Sequence, residues 1–211
     1  MSEELSRLIG ERLHGTPALD AIRQAGRDEF GLTPAEMNGL LAFFVVAATE
    51  TTSAFIGSAF QLLGMHPDAC AAIRADSAWL PPTFDELMRY CAPGGTAVGL
   101  RLAAAPVHFD GHAIPQGALL LLDIERAHFD PAVYAEPARF DPRRRGPPHL
   151  GFGGGPHACL GMAAAREQIL ALLAPLVARF DIEPQSTALE WCEKSTMRRL
   201  RRLSITLHPR H

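Results

Sequence analysis

The period of the apolar positions changes twice along the chain, from helical spacing to short alternating runs near residue 98 and back to helical spacing after residue 161. Between Glu3 and Arg27 the apolar residues Leu5, Leu8, Ile9 and Leu13 fall at helical intervals. Gly15-Thr16-Pro17 interrupts them, which predicts two short helices. Thr33-Pro34-Ala35-Glu36 combines a capping threonine, a proline at the first helical position and a glutamate three residues after the cap. Such a combination starts a helix. The helix is expected to run to about Leu63, where Gly64 and Pro67 stop it, and its apolar residues on nearly every face predict a buried central helix. Polar Thr49, Glu50, Thr51 and Thr52 interrupt it. Pro67 to Ala75 and Thr83 to Tyr90 read as two more helices, the second capped by Thr83 with Asp85 and Glu86 in its first turn.

Pro93-Gly94-Gly95 closes the helical part. Val98 to Leu102, Val107 to Phe109 and Leu119 to Leu122 are β-type runs separated by turns at Asp110-Gly111 and Pro115-Gln116-Gly117, so hairpins are expected. Phe129 to Pro148, rich in proline and arginine, predicts an irregular compact loop. Gly161 to Phe180 is again helical, and Leu200 to Leu207 a strand. The expected class is mainly α with small β-hairpins (α+β), divided into a helical lead-in over 1–31 and one portion over 32–211.

A formal charge of −3 removes any bulk attraction to phosphate backbones, so no nucleic acid is expected as a partner. The run Leu40 to Ala48 is shorter than the ~20 residues a bilayer requires, and no membrane is expected. Met1-Ser2-Glu3-Glu4 lacks the basic start and apolar stretch of a secretory signal, which makes a cytoplasmic protein the expectation. Cys70, Cys91, Cys159 and Cys192 form no CxxC pair, so neither a disulfide framework nor a structural zinc site is expected.

Three segments carry chemistry. Cys159 lies in Phe152-Gly153-Gly154-Gly155-Pro156-His157-Ala158-Cys159-Leu160-Gly161, a glycine-rich loop opening onto a helix. The N–H groups and dipole at such a helix start stabilise a thiolate, which could ligate a metal. An isolated cysteine beside a glycine turn can equally be an inert buried thiol. Glu86 and Arg89 stand at i and i+3, close enough to pair. Glu50-Thr51-Thr52 sets a carboxylate and hydroxyls into an apolar rod, where they serve a polar cavity or bond back to the preceding turn.

In their order and spacing these segments resemble the cytochrome P-450 superfamily of haem-thiolate monooxygenases, in its soluble bacterial form. Ala47-Ala48-Thr49-Glu50-Thr51-Thr52 is similar to the oxygen-activation stretch of the long central helix, Glu86-Leu87-Met88-Arg89 to the E-x-x-R pair, and Phe152 to Gly161 to the cysteine loop. Pro137-Ala138-Arg139-Phe140 resembles the segment that supplies the second arginine of a Glu-Arg-Arg cluster. The resemblance implies the C-terminal part of that fold, with Cys159 as axial ligand of haem b (iron protoporphyrin IX). It implies Arg101 and His157 on the propionates, Phe152 and Leu160 shielding the sulfur, and Gly153, Gly155 and Gly161 letting the loop pass close to the porphyrin. Thr51 would hydrogen-bond the bound oxygen or its water and Glu50 would relay protons. Glu86, Arg89 and Arg139 would be structural. Substrate, a small apolar molecule, would touch Thr96 to Val98 and Ser195 to Met197.

Electrons would come from NAD(P)H through a ferredoxin or flavodoxin, which Arg143-Arg144-Arg145 and Arg198 to Arg202 could attract if they are not simply solvated. Members of the superfamily are longer, so the N-terminal half is expected to be missing. Three readings follow: the haem-binding C-terminal part of a monooxygenase, either a fragment or one piece of a split product completed by a second, N-terminal chain; a haem-binding module without oxygenation; and a protein-binding relic.

Overall fold

The computed structural model describes residues 7, 16–94, 99–186, 190–192 and 197–210. Contacts divide the chain into two compact units, Met1–Glu50 and Thr51–His211, with the boundary inside one long helix. In the first unit, α1 (Pro17–Asp28) starts where Thr16 accepts a hydrogen bond from the Leu19 N–H at 3.4 Å. The helix expected before Gly15 lies outside the described residues.

Thr33 opens α2 (Pro34–Met65) through a reciprocal cap: the Glu36 N–H donates to the Thr33 hydroxyl (3.3 Å) and the Thr33 N–H donates to the Glu36 carboxylate (2.8 Å). The Thr33 hydroxyl, which also donates to the Glu36 carboxylate at 2.7 Å, and the Thr33 N–H hold that carboxyl below the usual range. Met37, Leu41 and Ala42 bury against Leu19 and Leu32.

The expectation of a buried central helix is met more fully in its second half than in its first. Phe55, Ala59, Leu62 and Leu63 are buried, whereas Phe43, Val45 and Val46 are exposed. A helix without a polar face buries whichever side meets partners. By length and composition alone α2 is apolar enough to cross a membrane, yet its second half is a core element of a globular unit.

In the second unit that half joins α3 (Pro67–Ala75), a 3-10 turn at Ser77–Trp79, α4 (Leu80–Cys91) and α6 (Met162–Arg179) around Phe84, Leu87, Leu173 and Val177. The short α5 (Ile124–His128) is capped by Asp123, which accepts from the Arg126 N–H at 2.8 Å. α4 begins at Leu80, before the expected Thr83 cap. Pro81 and Pro82 sit in its first turn, where a missing N–H costs no hydrogen bond. Thr83 is instead buried inside the helix and donates to the Trp79 carbonyl at 2.7 Å.

Strand β1 (Leu100–Leu102) pairs antiparallel with β4 (Leu119–Leu121), and β2 (Val107–Phe109) with β3 (His112–Ile114), so a hairpin is nested within a ribbon. The expected turn at Asp110-Gly111 closes β2–β3, with positive φ at both residues (47° and 77°) as two-residue hairpin loops require. The register Leu100↔Leu121 and Leu102↔Leu119 puts four exposed leucines on one face of the ribbon and Arg101 on the other. β5 (Phe180–Pro184) follows α6 directly and pairs antiparallel with β6 (Ile205–Pro209). The last strand therefore begins later than expected, and Leu200 instead bridges Trp191.

The absence of a side chain at Gly64 lets β5 lie against the end of α2: a Cβ there would fall 2.6 Å from the Pro184 ring and 3.2 Å from the Ile182 carbonyl oxygen. Alanine gains roughly 0.5–1 kcal/mol of helix propensity over glycine. Overpacking against a rigid ring costs about 1–3 kcal/mol and should win. Gly64→Ala is thus expected to lower the urea midpoint, and an unchanged or raised midpoint would contradict the close approach.

Candidate functional site

The loop before α6 is set by backbone bonds. Gly153 N–H donates to the Leu150 carbonyl (2.8 Å), Cys159 N–H to the Phe152 carbonyl (2.8 Å) and Met162 N–H to the Cys159 carbonyl (3.2 Å). Gly153 and Gly155 have φ of 67° and 65°, a region that residues with a Cβ rarely adopt. Phe152 anchors the loop by stacking on buried Phe84 at 6.3 Å. His157 sits exposed on a 3-10 turn (Gly155–His157). Gly161 caps α6 beside the sulfur, a Cβ there falling 3.9 Å from Cys159 Sγ.

Cys159 is exposed at the start of that helix. Cys70 and Cys91 are buried, with sulfurs against the Leu63 and Leu87 carbonyls (3.7 and 3.1 Å). Burial pushes both thiols up, Cys91 to about 12, so neither offers a thiolate near neutrality. Beside Cys159, Leu160 is 85% exposed and Met162 47%. An accessible sulfur flanked by solvent-facing apolar side chains on a glycine turn fits the axial ligand of a flat, largely apolar macrocycle. Among the described residues no three His, Cys, Asp or Glu side chains group to hold a metal ion. A metal at Cys159 would take its other donors from a prosthetic group.

Behind the loop lies a buried ionic cluster. Glu86 and Arg89, 4% and 2% exposed, make a two-pronged pair: Arg89 Nε to Glu86 Oε2 at 2.8 Å and Nη2 to Oε1 at 2.9 Å. Arg144 Nε donates to both Glu86 oxygens at 3.1 Å, and the Asp141 N–H to Oε1 at 2.9 Å. The cluster is therefore Glu86, Arg89 and Arg144.

This corrects the expectation for Arg139. Its side chain is 64% exposed and pairs with Glu136 at 3.3 Å. Only its carbonyl reaches the cluster, accepting from Arg144 Nη2 (2.6 Å) and Arg89 Nη2 (3.4 Å). The Arg143–Arg145 run is likewise not simply solvated. Arg143 packs over Trp79 at 5.1 Å, and the Arg144 side chain is 11% exposed. Motif spacing pointed to the wrong arginine because the loop doubles back at Glu136, whose φ is 45°, and brings the later residue inward.

A second contributor carries no sequence signature. His128 is 1% exposed; its carbonyl accepts from Arg89 Nη1 at 2.7 Å and its Nε2 accepts from the Leu150 N–H at 2.7 Å. Burial, reinforced by His149 and Arg89, lowers its pKa to about 4. Burial lowers that of His149 as well, against the pull of Asp85.

The remaining expected residues lie on other elements. Arg101 is exposed on β1 and donates to the Leu100 carbonyl at 2.8 Å. Glu50 and Thr51 are half-buried neighbours on α2, and the Thr49 hydroxyl bonds back to the Val45 carbonyl at 2.7 Å. Thr96 to Val98 and Ser195-Thr196 lie outside the described residues, and Met197 is half-buried.

The family model described as cytochrome P450 matches residues 78–206. The chain is 35% identical over 213 residues to cytochrome P450 monooxygenase PikC of Streptomyces venezuelae, covering 97% of itself and 50% of that protein. It is 35% identical over 167 residues to 6-deoxyerythronolide B hydroxylase of Saccharopolyspora erythraea, with coverage of 79% and 41%. The structure of a Streptomyces peucetius CYP105P2 complex with a biphenyl compound superposes with a TM-score of 0.85 at 27% identity, over 96% of this chain and 52% of that one. The chain thus spans about half the length of the relatives it matches.

Two measurements check the cluster and the buried histidine. Arg144→Met leaves part of a buried carboxylate uncompensated and should cost about 3 kcal/mol in urea unfolding, whereas Arg139→Ala should stay within about 0.5 kcal/mol. Equal effects would return Arg139 to the cluster. Because unfolded His128 takes up a proton near pH 6.5 and folded His128 only near pH 4, stability should fall as pH drops through that window. The His128 contribution is at most about 3 kcal/mol, and a shallower profile after His128→Gln, with the His149 part of the slope remaining, would trace it to this ring.

Proposed function

The chain belongs to the cytochrome P450 family, and from that premise we propose that it forms the thiolate side of a haem monooxygenase site with Cys159 as the axial ligand. The observation that carries this reading is the accessible Cys159 sulfur at the start of α6, while Cys70 and Cys91 are buried against carbonyls. When bound, haem b would supply activation of dioxygen and insertion of one oxygen atom into a small apolar molecule. Arg101 and His157 would hold its propionates by charge-assisted hydrogen bonds. Phe152 and Leu160 would keep water from the sulfur, and the open backbone at Gly153 and Gly161 would leave room for the ring. Thr51 would hold a proton by its hydroxyl and Glu50 would pass protons toward it from water. Glu86, Arg89 and Arg144 would act only by holding the scaffold.

Electrons from NAD(P)H would arrive through a ferredoxin or flavodoxin, which suits a cytoplasmic setting. The exposed leucine face of the β1–β4 ribbon (Leu100 52%, Leu102 68%, Leu119 70%, Leu121 57%) is a surface that normally packs on further polypeptide. We therefore propose that turnover needs the remainder of the family fold, supplied in the same chain or as a complementary N-terminal chain.

Haem-loaded protein, reduced under carbon monoxide, is expected to show the red-shifted Soret band of thiolate ligation. Cys159→Ala should abolish it and Cys192→Ala should retain it. Haem uptake with an unchanged band in Cys159→Ala would overturn the assignment.

A further inference from the structure

Building on the haem-thiolate reading, we propose that His128 and His149 are positioning residues, a two-imidazole clamp that fixes the cysteine loop by receiving the consecutive backbone N–H groups of Leu150 and Gly151. His128 Nε2 accepts from Leu150 N–H at 2.7 Å, and His149 Nδ1 accepts from Gly151 N–H at 3.1 Å. The rings meet edge to face at 6.4 Å, and His149 continues to Phe152 at 5.6 Å. Both acceptances require the accepting nitrogen to be unprotonated. The proton of neutral His128 then sits on Nδ1. That of His149 sits on Nε2, which faces Asp85 at 3.8 Å.

The clamp ties the loop to the buried cluster. The His128 carbonyl receives Arg89, so one residue joins the arginine at its backbone and the loop at its ring. From Leu150 the order passes to Gly153, whose N–H its carbonyl accepts, and the Phe152 carbonyl accepts the Cys159 N–H. Nothing opposes close approach at this point, since a Cβ on Gly151 would fall 2.7 Å from the Met88 methyl and 3.2 Å from His149 Nδ1.

The charged groups that face the clamp are Glu86, Arg89 and Asp85 of α4 and Arg166 of α6, with each histidine facing the other. Burial disfavours a proton on either ring. A proton forced onto His128 Nε2 or His149 Nδ1 would set donor against donor at the loop amide. Acid should therefore release the loop at Leu150 and Gly151 before it unfolds the helices.

The test pairs a haem-independent readout with a spectroscopic one. In the full chain without haem, amide exchange at Leu150 and Gly151, corrected for intrinsic rates, should rise between pH 7.5 and pH 5. His128→Phe should raise Leu150 exchange about tenfold at pH 7.5, as loss of one buried hydrogen bond implies. His128→Gln with His149→Asn keeps acceptors near the same places without titrating in this range, and should flatten the pH response. In haem-loaded protein the thiolate-type carbon monoxide band should fall in His128→Phe and persist in the double variant.

Unchanged Leu150 exchange in a folded His128→Phe protein overturns the clamp. So does an undiminished pH response in the double variant, which also decides the matter if His128→Phe fails to fold. Failure of the wild-type chain to show a thiolate band under any condition would count against the haem reading, while the exchange results would still decide the clamp.

Discussion

A carboxyl group that is 4% exposed needs hydrogen-bond donors around it, and at Glu86 they come from one helix and one loop. Arg89 approaches from the same helix, and Arg144 and the Asp141 N–H from the irregular segment that follows α5. The irregular segment has no regular element of its own between Phe129 and Gly154. Its shape is maintained by backbone carbonyls at 135, 136 and 139, which accept from Arg144, and by the carbonyls of His128 and Arg139, which accept from Arg89. Removing one charge would leave the others buried and unmatched, so the cluster acts as a unit. The loop bearing Cys159 is linked to it through His128, whose carbonyl accepts from Arg89 and whose ring accepts from the Leu150 N–H.

Much of this was legible in residue order. Thr33, Pro34 and Glu36 announce α2 because the reciprocal cap is local chemistry, complete within four residues. Asp110-Gly111 announces its hairpin because positive φ at two successive positions excludes most other residues. The cysteine loop stood out through the order in which the Glu50 stretch, Glu86-Leu87-Met88-Arg89 and Phe152 to Gly161 follow one another, which resembles the family's motifs. What could not be read was set by distant partners. The pairing of β1 with β4 skips over a hairpin, and β5 is a strand only because β6 returns to it. Arg139 and Arg144 are the same residue type, and the bonds that hold Arg144 inward, to Glu86 and to the carbonyls at 135, 136 and 139, exist only in the folded loop. His128 belongs to no motif that the sequence singles out.

The uneven burial of α2 and the leucine face of the ribbon have a common physical source. Each is an apolar surface with few neighbours among the described residues of its own unit, while Phe55, Phe84 and Leu173 form a filled core. A filled core accounts for folding of the Cys159 side of the proposed site. Unfilled apolar faces separate that question from turnover, which in this family involves relatives twice as long.

The central proposal is that the Cys159 sulfur, on a loop tied through the His128 ring and carbonyl to Arg89, would bond directly to haem iron. X-ray absorption at the iron edge of haem-loaded protein tests it without reference to turnover or partners. The account predicts one sulfur atom in the first coordination shell, replaced by a lighter donor in Cys159→Ser. A first shell of nitrogen and oxygen alone in the wild-type chain would contradict it.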